Sequence, residues 1–192
     1  PVWSADHPGH DVLDRMYSER LYPGPRDVFA TNMIEANKRY GLHFMFSHDN
    51  SYIQNTFRKN GAGVAVMYTR NVLMKENIFE ESEGASSYGI LLKDITDSEV
   101  VGNIFRNNTI GIYMEGCSRS TFQGNSFTQN GWALKLMASC DQNTFEENNF
   151  IANTFDISTN GNVVLNTLQN NYWDKYEGYD LDKNRTGDVP YR

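Results

Sequence analysis

Four side chains near the start of the chain's repetitive part combine donors that suit one class of ion. His43 and Met45 lie two residues apart, His48 follows three residues on, and Met67 stands 22 residues after Met45. Thioethers are soft donors and imidazole is borderline; brought within ~5–7 Å of one another, they suit Cu(I), which accepts low coordination. The competing reading is an adhesive patch, because exposed methionine and aromatic side chains also serve as docking surfaces for partners. A third is that further chain covers this face.

Cys117 and Cys140 form a second candidate set. Three readings stay open for them: a disulfide, two unpaired buried thiols, or metal ligands. The tail Asp180-Leu181-Asp182-Lys183-Asn184-Arg185-Thr186-Gly187-Asp188 places oxygen donors at alternate positions, as calcium loops do. It lacks glycine at the sixth position, held by Arg185, and an acid at the twelfth, held by Tyr191. A polar turn that caps the chain is the plainer account, with Ca2+ a weak alternative. Lys93, Asp94, Glu115 and Lys135, with Tyr113 or Trp132 to stack on a sugar, would be the acid–base set of a carbohydrate-active enzyme. The chain has no nucleophile elbow and no GxxxxGK[ST] phosphate loop.

These residues have to be positioned by something, and composition narrows what. The 192 residues are 39% hydrophobic, 21% charged and 13% aromatic, with a net charge of −7. That describes a globular chain of one-domain size, without the basic runs that nucleic acid or an anionic membrane would require. No apolar stretch approaches the ~18–20 residues of a bilayer span and no leader peptide opens the chain, which reads as soluble; the compartment does not follow. Two cysteines exclude a disulfide framework and a four-cysteine zinc site.

Asparagine is the informative residue. There are 22, none before Asn32, while four of the five prolines fall in the first 31 residues. Gly41, Gly63, Gly89 and Gly111 open similar runs (GLHFMF, GVAVMY, GILLKD, GIYMEG), with Ala133 next; the spacings are 22, 26, 22 and 22. Fourteen residues after each glycine come Asn55, Asn77, Asn103 and Asn125, then Phe57, Phe79, Phe105 and Phe127, then Asn60, Ser82, Asn108 and Asn130. The unit that starts at Ala133 contains one extra residue, inserted between Ala133 and Thr144. A half unit (Asn32, Ile34, Asn37) precedes the set, and a last one ends at Asn170 and Tyr172.

Within each unit apolar residues alternate, the period of a strand rather than a helix. Three short strands per ~22 residues with no helix between them predict an all-β fold: a right-handed, single-stranded parallel β-helix of about seven coils. The phenylalanine column fills the core, and the asparagine columns bond coil to coil at the corners, as amide ladders do. The expected organisation is an irregular N-terminal segment with an insertion over 1–27, β-helix repeats over 28–173, and a capping tail over 174–192, with Tyr172 and Trp173 closing the last coil. GHDVLDRMYSERLYPG, between Pro8 and Pro25, is read as a short helix or structured loop. Alternation turns His43 and Met45 outward, sets Met67 beside Met45 and sets the small Ala65 beside His43. Four coils, roughly 19 Å at the strand spacing, separate His48 from Cys140, so the cysteines belong to no site with His43.

GLHFMFSHDN, SYGILLKDITDS, NGWALKLMASC, NTFDISTN and NNYWDKYEGYDLD…GDVPY, in this order from about Arg39 to Tyr191, closely resemble the NosD family, with a weaker echo in Val2-Trp3-Ser4-Ala5-Asp6. The resemblance implies a periplasmic, non-enzymatic β-helix protein that takes part in maturing the copper–sulfur centre of nitrous-oxide reductase. Its implied partners are an ABC ATPase and its membrane subunit, a copper-chaperone lipoprotein as donor, and the reductase as client. Transient Cu(I) is the implied cofactor, and the outward His43, Met45, His48 and Met67 are the residues where this chain would take it. The chain departs from the family in three respects. It is shorter, which implies further N-terminal coils; the stretch from about His7 to Pro25 reads as inserted; and the tail lacks the family's glycines. A carbohydrate-active β-helix (lyase, hydrolase or epimerase) is the alternative function.

Overall fold

The computed structural model describes residues 2–3 (backbone only), 27–160, 166–184 and 186–189. The helix or loop expected between Pro8 and Pro25, its reading as an insertion, and Arg185 and Tyr191 of the tail lie outside them.

Every strand belongs to one of three parallel sheets, visited in turn by each coil. A broad sheet of six strands comprises Tyr40–Met45, Ala62–Arg70, Tyr88–Thr96, Ile110–Glu115, Trp132–Leu136 and Phe155–Thr159. A second, of seven three-residue strands, runs from Val28–Ala30 to Thr167–Gln169. A third, of eight, runs from Val2–Trp3 to Tyr172–Trp173. This is a parallel β-helix of six complete coils, preceded by the half unit of Val28–Ala30 and Met33–Glu35.

The register explains the spacings. Leu42, Val64, Ile90, Ile112 and Leu134 are consecutive partners along the broad sheet. The 26-residue step falls between Arg58↔Glu80, which are 22 apart, and Ala62↔Tyr88, so the four extra residues sit in the turn before Tyr88. The extra residue of the fifth coil falls between Leu136, partner of Met114, and Asp141, partner of Ser118.

Phe57, Phe79, Phe105, Phe127, Phe150 and Trp173 stack through the core at centroid spacings of 5.1, 5.0, 4.8, 5.0 and 4.2 Å. Trp173 thus closes the last coil. Glycine opens the coils for a steric reason: a Cβ on Gly63 would lie 2.5 Å from the carbonyl oxygen of Gly89 and 2.9 Å from the Phe79 ring.

At the corner before the phenylalanine column the chain bends through one left-handed residue, such as Gln54 (φ 54°), Glu76 (φ 56°) or Glu147 (φ 55°). Such a conformation costs a non-glycine residue about 1–2 kcal/mol. The next residue offsets it. Asn103 Nδ2 donates to Asn125 Oδ1 (3.0 Å) and to the Met74 carbonyl (2.9 Å), while its Oδ1 accepts from the backbone N–H and Nδ2 of Asn77, both at 2.9 Å. This pattern repeats from Asn32 to Asn171, each buried bond contributing about 1 kcal/mol net.

Candidate metal centre

Pleating alone decides which side chains of Tyr40–Met45 face outward: Leu42 and Phe44 are buried, and His43 and Met45 lie on the opposite, partly exposed face. Met45 and Met67 are direct register partners on neighbouring strands, as are His43 and Ala65. Cβ atoms of such partners stand about one strand spacing apart, ~4.8 Å, which lets two flexible thioethers converge on one ion. On the far side of Met67 the register partner is Lys93, whose ammonium lies 3.7 Å from a Glu115 carboxylate oxygen.

The two histidines are held differently. The His43 ring packs against Tyr40 (centroids 4.8 Å apart, planes at 34°), and its Nε2 is withdrawn from solvent. Donation from Nε2 therefore requires that nitrogen to be uncovered first. Ala65, between His43 and Leu91 in the register, is wholly buried although it points outward, so its neighbours close over the small residue.

His48 stands in the turn after the strand. Its Nδ1 lies 3.3 Å from the Arg70 backbone N–H, which donates to it, and 3.1 Å from Thr69 Oγ1. With Nδ1 accepting, neutral His48 carries its proton on Nε2; an ion taken through Nε2 would require that proton on Nδ1, with Thr69 Oγ1 as its acceptor and the Arg70 N–H donation given up. The Thr69 hydroxyl in turn is donated to the Ser47 carbonyl. The strand and the turn thus bring Met45 and Met67 together directly and hold His48 through backbone of the same neighbouring coil.

Sequence reasoning missed the next rung. Phe46 and Tyr68 follow the two methionines, each in the left-handed conformation (φ 54°), and stack on one another in the open, 63% and 40% exposed. The signal was present as Met-Phe and Met-Tyr at the same 22-residue spacing. Strict alternation hid it, because the left-handed residue breaks the pleat and turns outward where alternation expects a side chain facing the core.

The other candidates resolve as follows. Lys93 and Glu115 pair with each other, and Lys135 lies 3.9 Å above the Trp132 ring, which stacks on Phe155. Tyr113 meets Tyr88 edge to face. Lys93, Glu115, Lys135 and Tyr113 of the expected carbohydrate-handling set thus each meet a partner within the chain. In the tail, Asp180 Oδ1 and Asp182 Oδ1 accept from the Asn184 backbone N–H (3.0 and 3.2 Å), and Asp188 Oδ2 accepts from that of Leu181 (2.7 Å), the arrangement of a polar turn. Among the described residues no three His, Cys, Asp or Glu side chains gather as a metal site, the calcium reading of the tail included. Cys117 and Cys140 are free, buried thiols, remote from the methionine face.

No helix among the described residues is long and apolar enough to cross a membrane. No curated protein matches the chain. A similar solved structure is the A-module of the Azotobacter vinelandii mannuronan C-5 epimerase AlgE4, at 14% identity and a TM-score of 0.48 over 74% of this chain; the match spans 53% of that structure. The model of the family described as periplasmic copper-binding protein (NosD) matches residues 26–179, nearly the whole solenoid and the start of the tail. With its stacked parallel coils and that match, the chain belongs to the NosD family of periplasmic copper-binding proteins.

Proposed function

We propose that the outer face of the first two coils receives copper as Cu(I), and that the chain serves as an accessory in assembling the copper–sulfur centre of nitrous-oxide reductase. The observation that carries this reading is the Met45–Met67 register pair, two thioethers side by side with His48 in the adjoining turn and His43 two residues before Met45. Thioether sulfur favours Cu(I) over Cu(II) and over oxygen-seeking ions. Weak neutral donors suit cargo that has to leave again. Copper would come from a chaperone lipoprotein and pass to the reductase, with an ABC ATPase and its membrane subunit coupling the chain to the membrane; these partners follow from the family resemblance.

The test is an anaerobic Cu(I) titration of the purified chain against a competing chromogenic chelator, beside the Met45→Ala/Met67→Ala variant. About one ion held in competition by the parent and released by the variant is the expected result. Unchanged Cu(I) affinity in a folded double variant would sink the site. Reductase that still acquires its copper with that variant as the sole accessory would sink the role.

A further inference from the structure

The described residues contain a pair of nucleophilic groups that the copper reading does not use. Cys117 follows the strand Ile110–Glu115, and Cys140 follows Trp132–Leu136 on the next coil. The parallel bridge between Ser118 and Asp141, with the Asp141 N–H donating to the Cys117 carbonyl at 3.2 Å, sets the two cysteines in register one residue before the bridge. The extra residue of the fifth coil is what restores this match, since a 22-residue step from Cys117 would reach Ser139. Neighbouring parallel strands lie about 4.8 Å apart, within the Cα separation of about 4.4–6.8 Å that a disulfide spans without backbone movement.

Both side chains turn inward, Cys117 1% exposed and Cys140 7%. Cys117 Sγ lies 3.4 Å from the Glu115 carbonyl oxygen and Cys140 Sγ 3.4 Å from that of Met114. Interaction between the two neighbouring thiols is the largest cause of a split in their acidity: the Cys140 thiol is drawn down to about 7, and that of Cys117 is pushed well above its usual value. A more acidic, more accessible sulfur beside a deeper proton-holding one is the arrangement of an attacking and a resolving thiol. The family's compartment, the periplasm, is one in which disulfides form and persist.

We propose that Cys117 and Cys140 are a redox-active pair that closes to a disulfide between two adjacent coils, with an oxidised dithiol or a small-molecule disulfide as the electron acceptor. The Cys140 thiolate attacks one sulfur of the acceptor and its other sulfur departs as a thiolate. Cys117 then gives up its proton and attacks the Cys140 sulfur of the mixed disulfide, releasing the second half of the acceptor. Two S–H bonds are lost and one S–S bond forms; the two electrons and two protons leave with the acceptor, now two thiols. This inference is independent of the copper assignment.

The test uses the reduced, metal-free full chain incubated while folded with oxidised glutathione, then alkylated under denaturing conditions and mapped. The expected outcome is joint loss of both thiols, a Cys117–Cys140 cross-link within one monomer, and a Tm raised by roughly 5–10 °C that reductant reverses. Cys117→Ser, which removes the resolving thiol, is expected to accumulate a stable glutathione adduct on Cys140. Two thiols that stay free until the chain is unfolded, or a disulfide found only between two chains, would overturn the proposal. The wild-type mapping decides this by itself should serine at 117 prevent folding.

Discussion

Phe46 lies flat on Tyr68, ring centroids 5.1 Å apart and planes within 11°, next to the rung where Met45 pairs with Met67. An exposed aromatic plate therefore borders two thioethers at the corner of the first two coils. Such a surface is adhesive by area and soft by chemistry, and the two properties can be separated. Met45→Leu/Met67→Leu keeps the apolar area and removes the sulfur. It is expected to lower Cu(I) affinity by tenfold or more while leaving the urea midpoint nearly unchanged, since Leu for Met costs less than about 1.5 kcal/mol. Retained copper affinity in the leucine variant would show that sulfur is not the ligand.

The phenylalanine column carries the core. Phe105 is fully buried between Phe79 and Phe127. Phe105→Ala is expected to cost about 3–5 kcal/mol, read as a lower midpoint in denaturant titration. A loss below 1 kcal/mol would mean that neighbouring coils collapse into the gap.

The amide ladder makes an equally sharp demand. Asn103→Ala strands the Asn77 backbone N–H and removes one bond each from the Asn77 side-chain amide, the Met74 carbonyl and Asn125 Oδ1. The Asn77 amide keeps the Tyr52 carbonyl as a partner, and Asn125 Oδ1 keeps the backbone N–H of residue 103. A buried orphan costs about 1–3 kcal/mol and each further lost bond about 1 kcal/mol, so this exchange, much smaller in volume than Phe105→Ala, is expected to destabilise by a comparable amount. Thermal unfolding of the two variants side by side checks it.

Ser82 breaks the second ladder. It is fully buried with no partner for its hydroxyl, between Asn60 and Asn108 in the column. Ser82→Asn is expected to restore the amide chain and raise stability by about 1 kcal/mol, seen as a higher Tm. No gain would show that the longer turn before Tyr88 leaves no room for the amide.

The split thiols carry a pH signature. Cys140 has its thiol lowered to about 7 by the neighbouring Cys117 thiol, whose own is raised. Thiolate absorbance of the reduced chain is expected to rise in two separated steps, one near pH 7 and one well above 9. In Cys117→Ser the first step moves upward if the serine hydroxyl is the weaker donor. For Cys140 alone the folded value lies below the unfolded one, so its stabilising effect is present above the unfolded value and is lost as pH falls through about 7.

The solenoid was legible because its residues repeat in register: Phe57, Asn55 and Gly63 each have counterparts one coil on, and each stands in a column. Of the about seven coils expected, the described residues hold six complete ones and a half unit, because the first unit contributes strands to only two of the sheets. The Met45–Met67 pair followed from the period of two. What alternation could not give was rotamer and tautomer: that His43 turns its ring onto Tyr40, and that His48 ties Nδ1 to the Arg70 amide. Those depend on neighbours in space, and no spacing encodes them. The match of Cys117 with Cys140 hung on where one extra residue fell, which the broad-sheet register settled.

The ladders also bear on how the chain ages. Asn60-Gly61 and Asn130-Gly131 are dipeptides of the kind that lose ammonia most readily, when the glycine nitrogen closes on the side-chain amide carbon to form a cyclic imide. Here both reacting groups are occupied. The Gly61 N–H donates to the Asn37 carbonyl and the Gly131 N–H to that of Asn108, while Asn60 and Asn130 have their amides committed to neighbouring coils. Ring closure would first have to unzip a coil, so in the folded chain these two sites keep their amides for as long as the stack holds.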